Sequence, residues 1–171
     1  IDHKLGFSVL GIIPLLPKVA LKGAQKDQHK TETNNTPVRA FVHGDNHPFK
    51  ESIRTLRTSL TLASLESPAK CLLFTSSIPG EGKTTSSVNL AAAYGQMEKT
   101  LLIDADMRRP SVAKQLRLPA GFKGLSNAVA YPETLDESIH HIEDLNIDVM
   151  PSGVIPPNPL ELLASKNFEK I

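Results

Sequence analysis

The sequence predicts an α/β protein in which a parallel sheet is flanked by helices. Three short apolar runs are interpreted as buried strands: "KCLLFTS" at 70–76, "KTLLIDAD" at 99–106 and "NIDVMPSG" at 146–153. Segments with helical spacing separate these runs, so the order along the chain is strand, helix, strand, helices, strand, helix. Strands that alternate with helices in this way pair in parallel, because the helix provides the return crossover.

Helices are predicted where apolar residues recur every three or four positions. The segment 49–65 has such a stripe, with a proline directly before it. A second helix is predicted at 84–97, directly after a glycine-containing loop. Further helical segments are predicted at 111–118, at 125–130 and from near Pro159 onwards.

The N-terminal part, 1–48, is predicted to be an extended arm followed by a flexible linker, ahead of a domain at 49–171. Residues 7–16, "FSVLGIIPLL", are apolar but interrupted by glycine and proline, which suits a short strand or an extended arm. Residues 22–48 are mostly polar and have no sustained period, so we expect a flexible linker.

Composition narrows the class of protein. A chain of 171 residues can bury a sizeable core in one domain. Its formal charge of +1 gives no bulk electrostatic reason to expect a nucleic-acid partner. The single cysteine, Cys71, excludes a disulfide within the chain, and we expect it to be a small core residue. The histidines have no metal-binding spacing.

The loop "SSIPGEGKTTSS" at 76–87 has the residue types that bind a polyphosphate. Gly80 and Gly82 can adopt backbone angles closed to other residues, so that successive N–H groups point inward toward an anion. The N-terminus of the following helix adds its own N–H groups and positive dipole end. Lys83 is expected to reach the β- and γ-phosphates, and the Thr84 hydroxyl to bind the accompanying Mg²⁺.

The loop departs from the general pattern G-x-x-x-x-G-K-[ST] at one position, because Ser77 stands in place of the first glycine. A predicted strand before the loop and a predicted helix after it supply the context that the mechanism needs. The alternative is a turn without a ligand. We expect the Glu81 side chain to turn outward to solvent. The predicted nucleotide-binding residues are Ser77, Pro79, Gly80, Glu81, Gly82, Lys83, Thr84, Thr85 and Arg108.

A second acidic motif, "LLIDADMRR" at 101–109, follows the second predicted strand. Asp104 and Asp106 are two residues apart, so on a strand both carboxylates would face the same side. Ligands of open α/β sheets lie at the carboxyl ends of strands. One carboxylate would hold metal-bound water and the other would accept a proton. Arg108 and Arg109 would neutralise them or contact phosphate. The alternative is an aspartate that caps a helix.

The helix at 49–65 has three charged residues at intervals of three: Glu51, Arg54 and Arg57. This spacing would line them up along one flank of the helix, away from its apolar stripe. Such a flank is either a solvated face with ion pairs or a surface for assembly.

Taken together, these motifs resemble those of the bacterial tyrosine kinase family, in the cytoplasmic domain of a polysaccharide co-polymerase or exopolysaccharide chain-length regulator. The family's phosphate motif accepts serine at its first place, its second motif is three aliphatic residues followed by D-x-D-x-R, and it has an E-x-x-R-x-x-R helix. "VLGIIP" at 9–14 and "PPNPLELLAS" at 156–165 are also typical of the family. Partition and cell-division ATPases of the same superfamily usually have lysine where this chain has Ile78.

The resemblance implies a P-loop NTPase-like fold and an ATP-dependent protein-tyrosine autokinase, with ATP/ADP and Mg²⁺ as cofactors, that regulates capsule or exopolysaccharide biosynthesis and export. It implies that Lys83 and Thr84 bind the phosphates and magnesium, that Asp104 accepts the tyrosine proton and that Asp106 helps to hold the metal. It also implies a homo-oligomeric ring built through the 49–65 helix and a tyrosine-rich tail from a neighbouring subunit. The resemblance further implies an upstream or separate membrane activator domain. It also implies that the protein lies at the cytoplasmic face of the bacterial inner membrane.

Two parts of the family pattern are not in this sequence. The third acidic motif has no match, and the chain has only Tyr94 and Tyr131 in place of a tyrosine cluster. We therefore expect the chain to be truncated at its C-terminus. The alternative functions are an ATP-hydrolysing switch of the partition or cell-division type, and a nucleotide-binding regulator without transfer activity.

Overall fold

The computed structural model describes residues 9–16, 36–65 and 70–171. The chain divides into two compact units, Ile1–Met97 and Glu98–Ile171. None of the helices in the described ranges is both long and apolar enough to cross a membrane.

The first unit contains two principal helices that pack on each other. Helix α2 (His47–Ala63) is preceded by Asn46, whose side chain accepts a hydrogen bond from the Phe49 N–H at 2.9 Å and so caps the first turn. Helix α3 (Lys83–Gly95) is rich in small residues and nearly all of its second half is buried. The two helices predicted at 49–65 and 84–97 are confirmed, with ends shifted by one or two residues.

A short helical segment precedes α2, so this part of the predicted flexible linker has regular structure. It consists of a 3-10 turn at Pro37–Arg39 and helix α1 (Ala40–His43). Two of its own side chains, Val38 and Phe41, are buried, at 1% and 3% exposure. The polar composition of the segment concealed these two apolar residues, whose burial stabilises the helical turns.

Asn89 of α3 binds this segment to α3. Its side-chain oxygen accepts a hydrogen bond from the Phe41 N–H at 2.7 Å, and its amide donates to the carbonyls of Pro37 and Thr85, both at 2.8 Å. Since Asn89 is only 1% exposed, its amide depends on these partners, and they in turn depend on it.

Residues 70–76 do not form the buried strand that their apolar run predicts. No strand is assigned there, and Cys71 and Leu73 are exposed, Leu73 to 88%. The expectation that Cys71 is a core residue is wrong for the same reason. A strand exists only where a neighbouring backbone completes its hydrogen bonds, and no described residue pairs with this segment. Residues 9–16 likewise have no strand, and the other two residues of the predicted arm, 7–8, lie outside the described residues.

The second unit is built on a sheet of three strands in the order β1-β3-β2. Strand β1 (Leu101–Ile103) pairs in parallel with β3 (Ile147–Met150), and β2 (His140–Ile142) pairs antiparallel with β3. The predicted strands within 99–106 and 146–153 therefore do pair in parallel, but the sheet is mixed because β2 adds an antiparallel edge. Strand β2, "HHI", was missed because it has no apolar run. A tight turn joins it to β3, with Asn146 in the left-handed region at φ 52°.

Strand β1 is also less buried than its sequence predicts. Leu101 and Ile103 are 44% and 48% exposed. Residues two apart on a strand share a face, so this face of β1 is about half exposed.

Three short helices complete the second unit: α4 (Val112–Leu116), α5 (Leu125–Ala130) and α6 (Pro159–Leu163). All three lie within the segments predicted to be helical. A buried apolar cluster packs β3 against α5; its members are Met107, Leu125, Val129 and Met150, with Leu162 and Leu163 of α6 against it.

Candidate functional site

The phosphate-type loop leads directly into α3. Gly80 and Gly82 have φ angles of 88° and 85°, in the left-handed region that L side chains rarely adopt. The helix begins after Gly82, whose carbonyl accepts the first intrahelical hydrogen bond from the Ser86 N–H at 2.8 Å. Glycine at these two places is therefore what allows the chain to turn from the loop into the helix.

The surface of the loop is open at both glycines. A Cβ atom added at Gly80 would meet nothing within 4 Å, and one at Gly82 would meet only the Ser86 hydroxyl, at 4.0 Å. No side chain caps the first turn of α3. Lys83, Thr84 and Thr85 occupy that first turn and are partly buried. A helix N-terminus, a cation and hydroxyl oxygens together suit a polyphosphate accompanied by Mg²⁺.

Glu81 does not turn away from the loop as expected. Its Oε2 atom accepts hydrogen bonds from the Ser77 N–H at 3.0 Å and the Ile78 N–H at 3.2 Å. The Ser77 hydroxyl also lies at 3.3 Å from Oε2. The carboxylate therefore folds back onto the start of the loop, although Glu81 as a whole remains exposed.

In the second unit, Asp104 follows the last residue of β1 and is only 6% exposed. Its Oδ1 accepts the Asp106 N–H at 3.1 Å, and its Oδ2 accepts the N–H groups of Ser111 and Val112 at 3.2 and 3.1 Å. Its own N–H donates to the Met150 carbonyl of β3 at 2.9 Å. Asp104 thus closes the turn between β1 and α4 and binds the start of that helix.

Asp106 differs from Asp104 in its surroundings. It is partly buried, and its Oδ1 accepts the Arg109 N–H at 3.0 Å. Because the strand ends at Ile103, the two-residue period that would align the two carboxylates no longer applies. Arg108 and Arg109 are both exposed.

Glu51, Arg54 and Arg57 of α2 do not share one environment. Glu51 and Arg54 form an exposed ion pair, and the Arg54 guanidinium lies 5.7 Å from the centre of the Phe41 ring. Arg57 instead donates a hydrogen bond to the Ala93 carbonyl of α3 at 2.6 Å. Each step of three residues turns by about 60° around the helix, so Arg57 has moved toward α3.

The sequence reasoning missed a close approach of two backbones in the second unit. The N–H groups of Leu125 and Ser126 donate to the carbonyls of Pro151 and Ser152 at 2.8 and 3.0 Å. A Cβ atom at Gly124 would lie only 2.1 Å from the Pro151 carbonyl oxygen. This contact positions the segment that leaves β3, and the glycine was its one available signal. Among the described residues there is no group of three or more His, Cys, Asp or Glu that could hold a metal ion.

Comparison with known proteins identifies the family, although no protein-family model matches the chain. The tyrosine-protein kinase YwqD of Bacillus subtilis is 40% identical over 122 residues, which are 71% of this chain and 51% of that protein. The solved kinase domain of the Escherichia coli tyrosine kinase ETK superposes with a TM-score of 0.80 at 35% identity, covering 94% of this chain and 62% of that one. The chain belongs to the bacterial tyrosine kinase family. A further structure, the chimerical protein CapA2B2, matches at a TM-score of 0.73 and 31% identity over 99% of this chain and 66% of that chain.

Membership of the bacterial tyrosine kinase family confirms the resemblance drawn from the loop, the D-x-D-x-R motif and the charged helix. The α/β character of the chain agrees with its structural neighbours. The chain spans about half the length of the Bacillus relative.

Proposed function

We propose that the chain is the ATP-binding kinase domain of a protein-tyrosine autokinase that regulates capsule or exopolysaccharide biosynthesis and export. One observation carries the proposal: a loop with two left-handed glycines opens into a helix whose first turn contains Lys83 and Thr84. Its occurrence in a chain 35% identical to a solved tyrosine kinase domain favours kinase chemistry over other uses of a phosphate loop. We place the protein at the cytoplasmic face of the bacterial inner membrane.

The loop's part in this function is to bind and orient the phosphates. The backbone N–H groups around Gly80 and Gly82 and the start of α3 would receive the phosphate oxygens. The ammonium of Lys83 would pair with the β- and γ-phosphates, and the hydroxyl of Thr84 would hold Mg²⁺. When bound, ATP supplies the transferable phosphoryl group and Mg²⁺ neutralises part of its charge.

The acidic residues would serve the acceptor and the metal. Asp106 would help to hold Mg²⁺, a hard cation that takes oxygen ligands. Asp104 would accept the proton of the tyrosine hydroxyl, whose ordinary pKa is about 10. Arg108 would contact phosphate. The bonds of Asp104 to three backbone N–H groups would fix the direction of its carboxylate, which general base catalysis requires.

The decisive experiment replaces the loop lysine. Lys83→Met should abolish ATP binding measured by calorimetry, and it should abolish phosphotyrosine measured by mass spectrometry in the full-length protein. The matched control is Lys99→Met, an exposed lysine beyond the end of α3, which should behave as the wild type. Phosphotyrosine that still accumulates in Lys83→Met would contradict the proposal. If the wild type hydrolysed ATP without forming phosphotyrosine, the alternative function of an ATP-hydrolysing switch would be favoured.

We also propose that the protein forms a homo-oligomeric ring, that it receives the tyrosine-rich tail of a neighbouring subunit and that a membrane domain activates it. Glu51 and Arg54 are exposed on α2, so their charges would be available to a second subunit. Charge reversal at both positions should reduce the mass of the full-length protein in light scattering while the thermal transition stays unchanged. An unchanged mass would contradict a role for these charges of α2 in the interface.

A further inference from the structure

The Glu81 carboxylate accepts hydrogen bonds from the first residues of the phosphate loop. The N–H groups of Ser77 and Ile78 both donate to Oε2, at 3.0 and 3.2 Å, and the Ser77 hydroxyl is within 3.4 Å of both carboxylate oxygens. The phosphate contacts proposed above are the N–H groups around Gly80 and Gly82 and at the start of α3. The carboxylate thus bonds a different part of the loop from the part that suits phosphate.

These bonds restrain a segment that would otherwise have little to hold it. Pro79 has no N–H group to donate, and Gly80 and Gly82 on either side of Glu81 are the residues with the greatest backbone freedom. The contacts from Glu81 to Ser77 close a ring of five residues that includes Pro79 and Gly80. Closing this ring reduces the number of conformations open to the loop before a ligand arrives.

We propose that Glu81 is a positioning residue that holds the loop in its nucleotide-binding shape before nucleotide binds. This inference rests on the proposed function. It accounts for an acidic residue in a loop built for anions, because two N–H dipoles compensate its charge. It also accounts for Ser77 where the general pattern has glycine, since the serine hydroxyl adds a donor to the same carboxylate.

Two substitutions separate the role of the bonds from that of the charge. Glu81→Ala removes the acceptor, so the loop must be ordered at the moment of binding, and we expect ATP–Mg²⁺ to bind about tenfold more weakly. Glu81→Gln keeps an acceptor oxygen on the same side chain without the charge, and should restore affinity to within about threefold of the wild type. Thermal melting checks that both variants fold, as expected for an exposed loop residue.

A readout without nucleotide tests the positioning itself. In amide-resolved hydrogen exchange on the nucleotide-free chain, Ser77 and Ile78 should exchange about tenfold faster in Glu81→Ala, and Glu81→Gln should restore the wild-type rates. Unchanged exchange in Glu81→Ala would overturn the inference. Tighter ATP binding in Glu81→Ala would also overturn it, because the carboxylate would then compete with phosphate.

The Lys83→Met variant keeps this test distinct from that of the proposed function. If the wild type binds ATP, Lys83→Met does not, and Glu81→Ala matches the wild type in exchange and affinity, only the role of Glu81 is wrong. If the wild type itself binds no ATP, the proposed function fails, and the inference about Glu81 fails with it.

Discussion

Replacing Asp104 by alanine should destabilise the fold of the second unit, quite apart from any effect on catalysis. The carboxylate is 6% exposed and accepts three backbone N–H groups at 3.1–3.2 Å. A hydrogen bond to a charged group contributes about 1.5–3 kcal/mol, and a buried donor left without its acceptor costs about 1–3 kcal/mol. The Val112 N–H is buried, whereas those of Asp106 and Ser111 belong to partly buried residues that water can reach more easily. We therefore expect a loss of about 3–4 kcal/mol in the free energy of unfolding.

Urea denaturation followed by far-UV circular dichroism measures this loss. Asp104→Asn keeps one acceptor oxygen and should cost about 2 kcal/mol. The matched control is Asp106→Ala, which removes a bond to the Arg109 N–H at an exposed residue and should cost less than about 1 kcal/mol. The reasoning would be refuted if Asp104→Ala stayed within about 0.5 kcal/mol of the wild type, or if the two alanine variants were equally stable.

The comparison matters for the assignment of a catalytic base. Lost phosphorylation in Asp104→Ala can follow from a displaced turn as readily as from a missing proton acceptor. Asp104→Asn keeps more of the turn and removes the basic oxygen. A stable but inactive Asp104→Asn protein would therefore support the role of proton acceptor.

Three other changes test the remaining structural claims. Asn89→Ala should cost about 2–4 kcal/mol, because it leaves the buried N–H at the start of α1 without an acceptor, and hydrogen exchange should show that segment opening first. Gly124→Ala should cost about 3 kcal/mol in urea denaturation because its Cβ would overlap a carbonyl, while Gly121→Ala, with positive φ but open space, should cost only about 1–2 kcal/mol. Burial, and then the charges of Arg39 and Lys50, lower the pKa of His43. As the pH falls through about 6.5, the unfolded chain therefore binds a proton before the folded chain does, and the folded state loses stability. NMR titration should place the His43 midpoint below that value, and Arg39→Gln should raise it; a midpoint at or above about 6.5 would contradict this account.

Local features of the sequence sufficed for the loop and for the two long helices, α2 and α3. Gly80 and Gly82 indicate positive φ because other residues are strained there, and the apolar stripe of 49–65 indicates a helix because its period is intrinsic to the helical backbone. The family could be recognised from the same short motifs. These properties depend on neighbours in the chain, which the sequence displays directly.

Pairing between distant segments was decided only in the tertiary structure. The apolar run at 70–76 forms no strand, while the polar "HHI" of β2 forms one, because a strand depends on the backbone beside it more than on its own composition. The same holds for the buried amide of Asn89, whose partners Phe41 and Pro37 lie 48 and 52 residues away and follow no periodicity in the sequence. The partners of the Asp104 carboxylate lie only two to eight residues away, so that turn is local to the chain. The sequence by itself thus determined the phosphate-type loop and its helix, and the packing of distant backbones determined the sheet and the buried hydrogen bonds of Asn89.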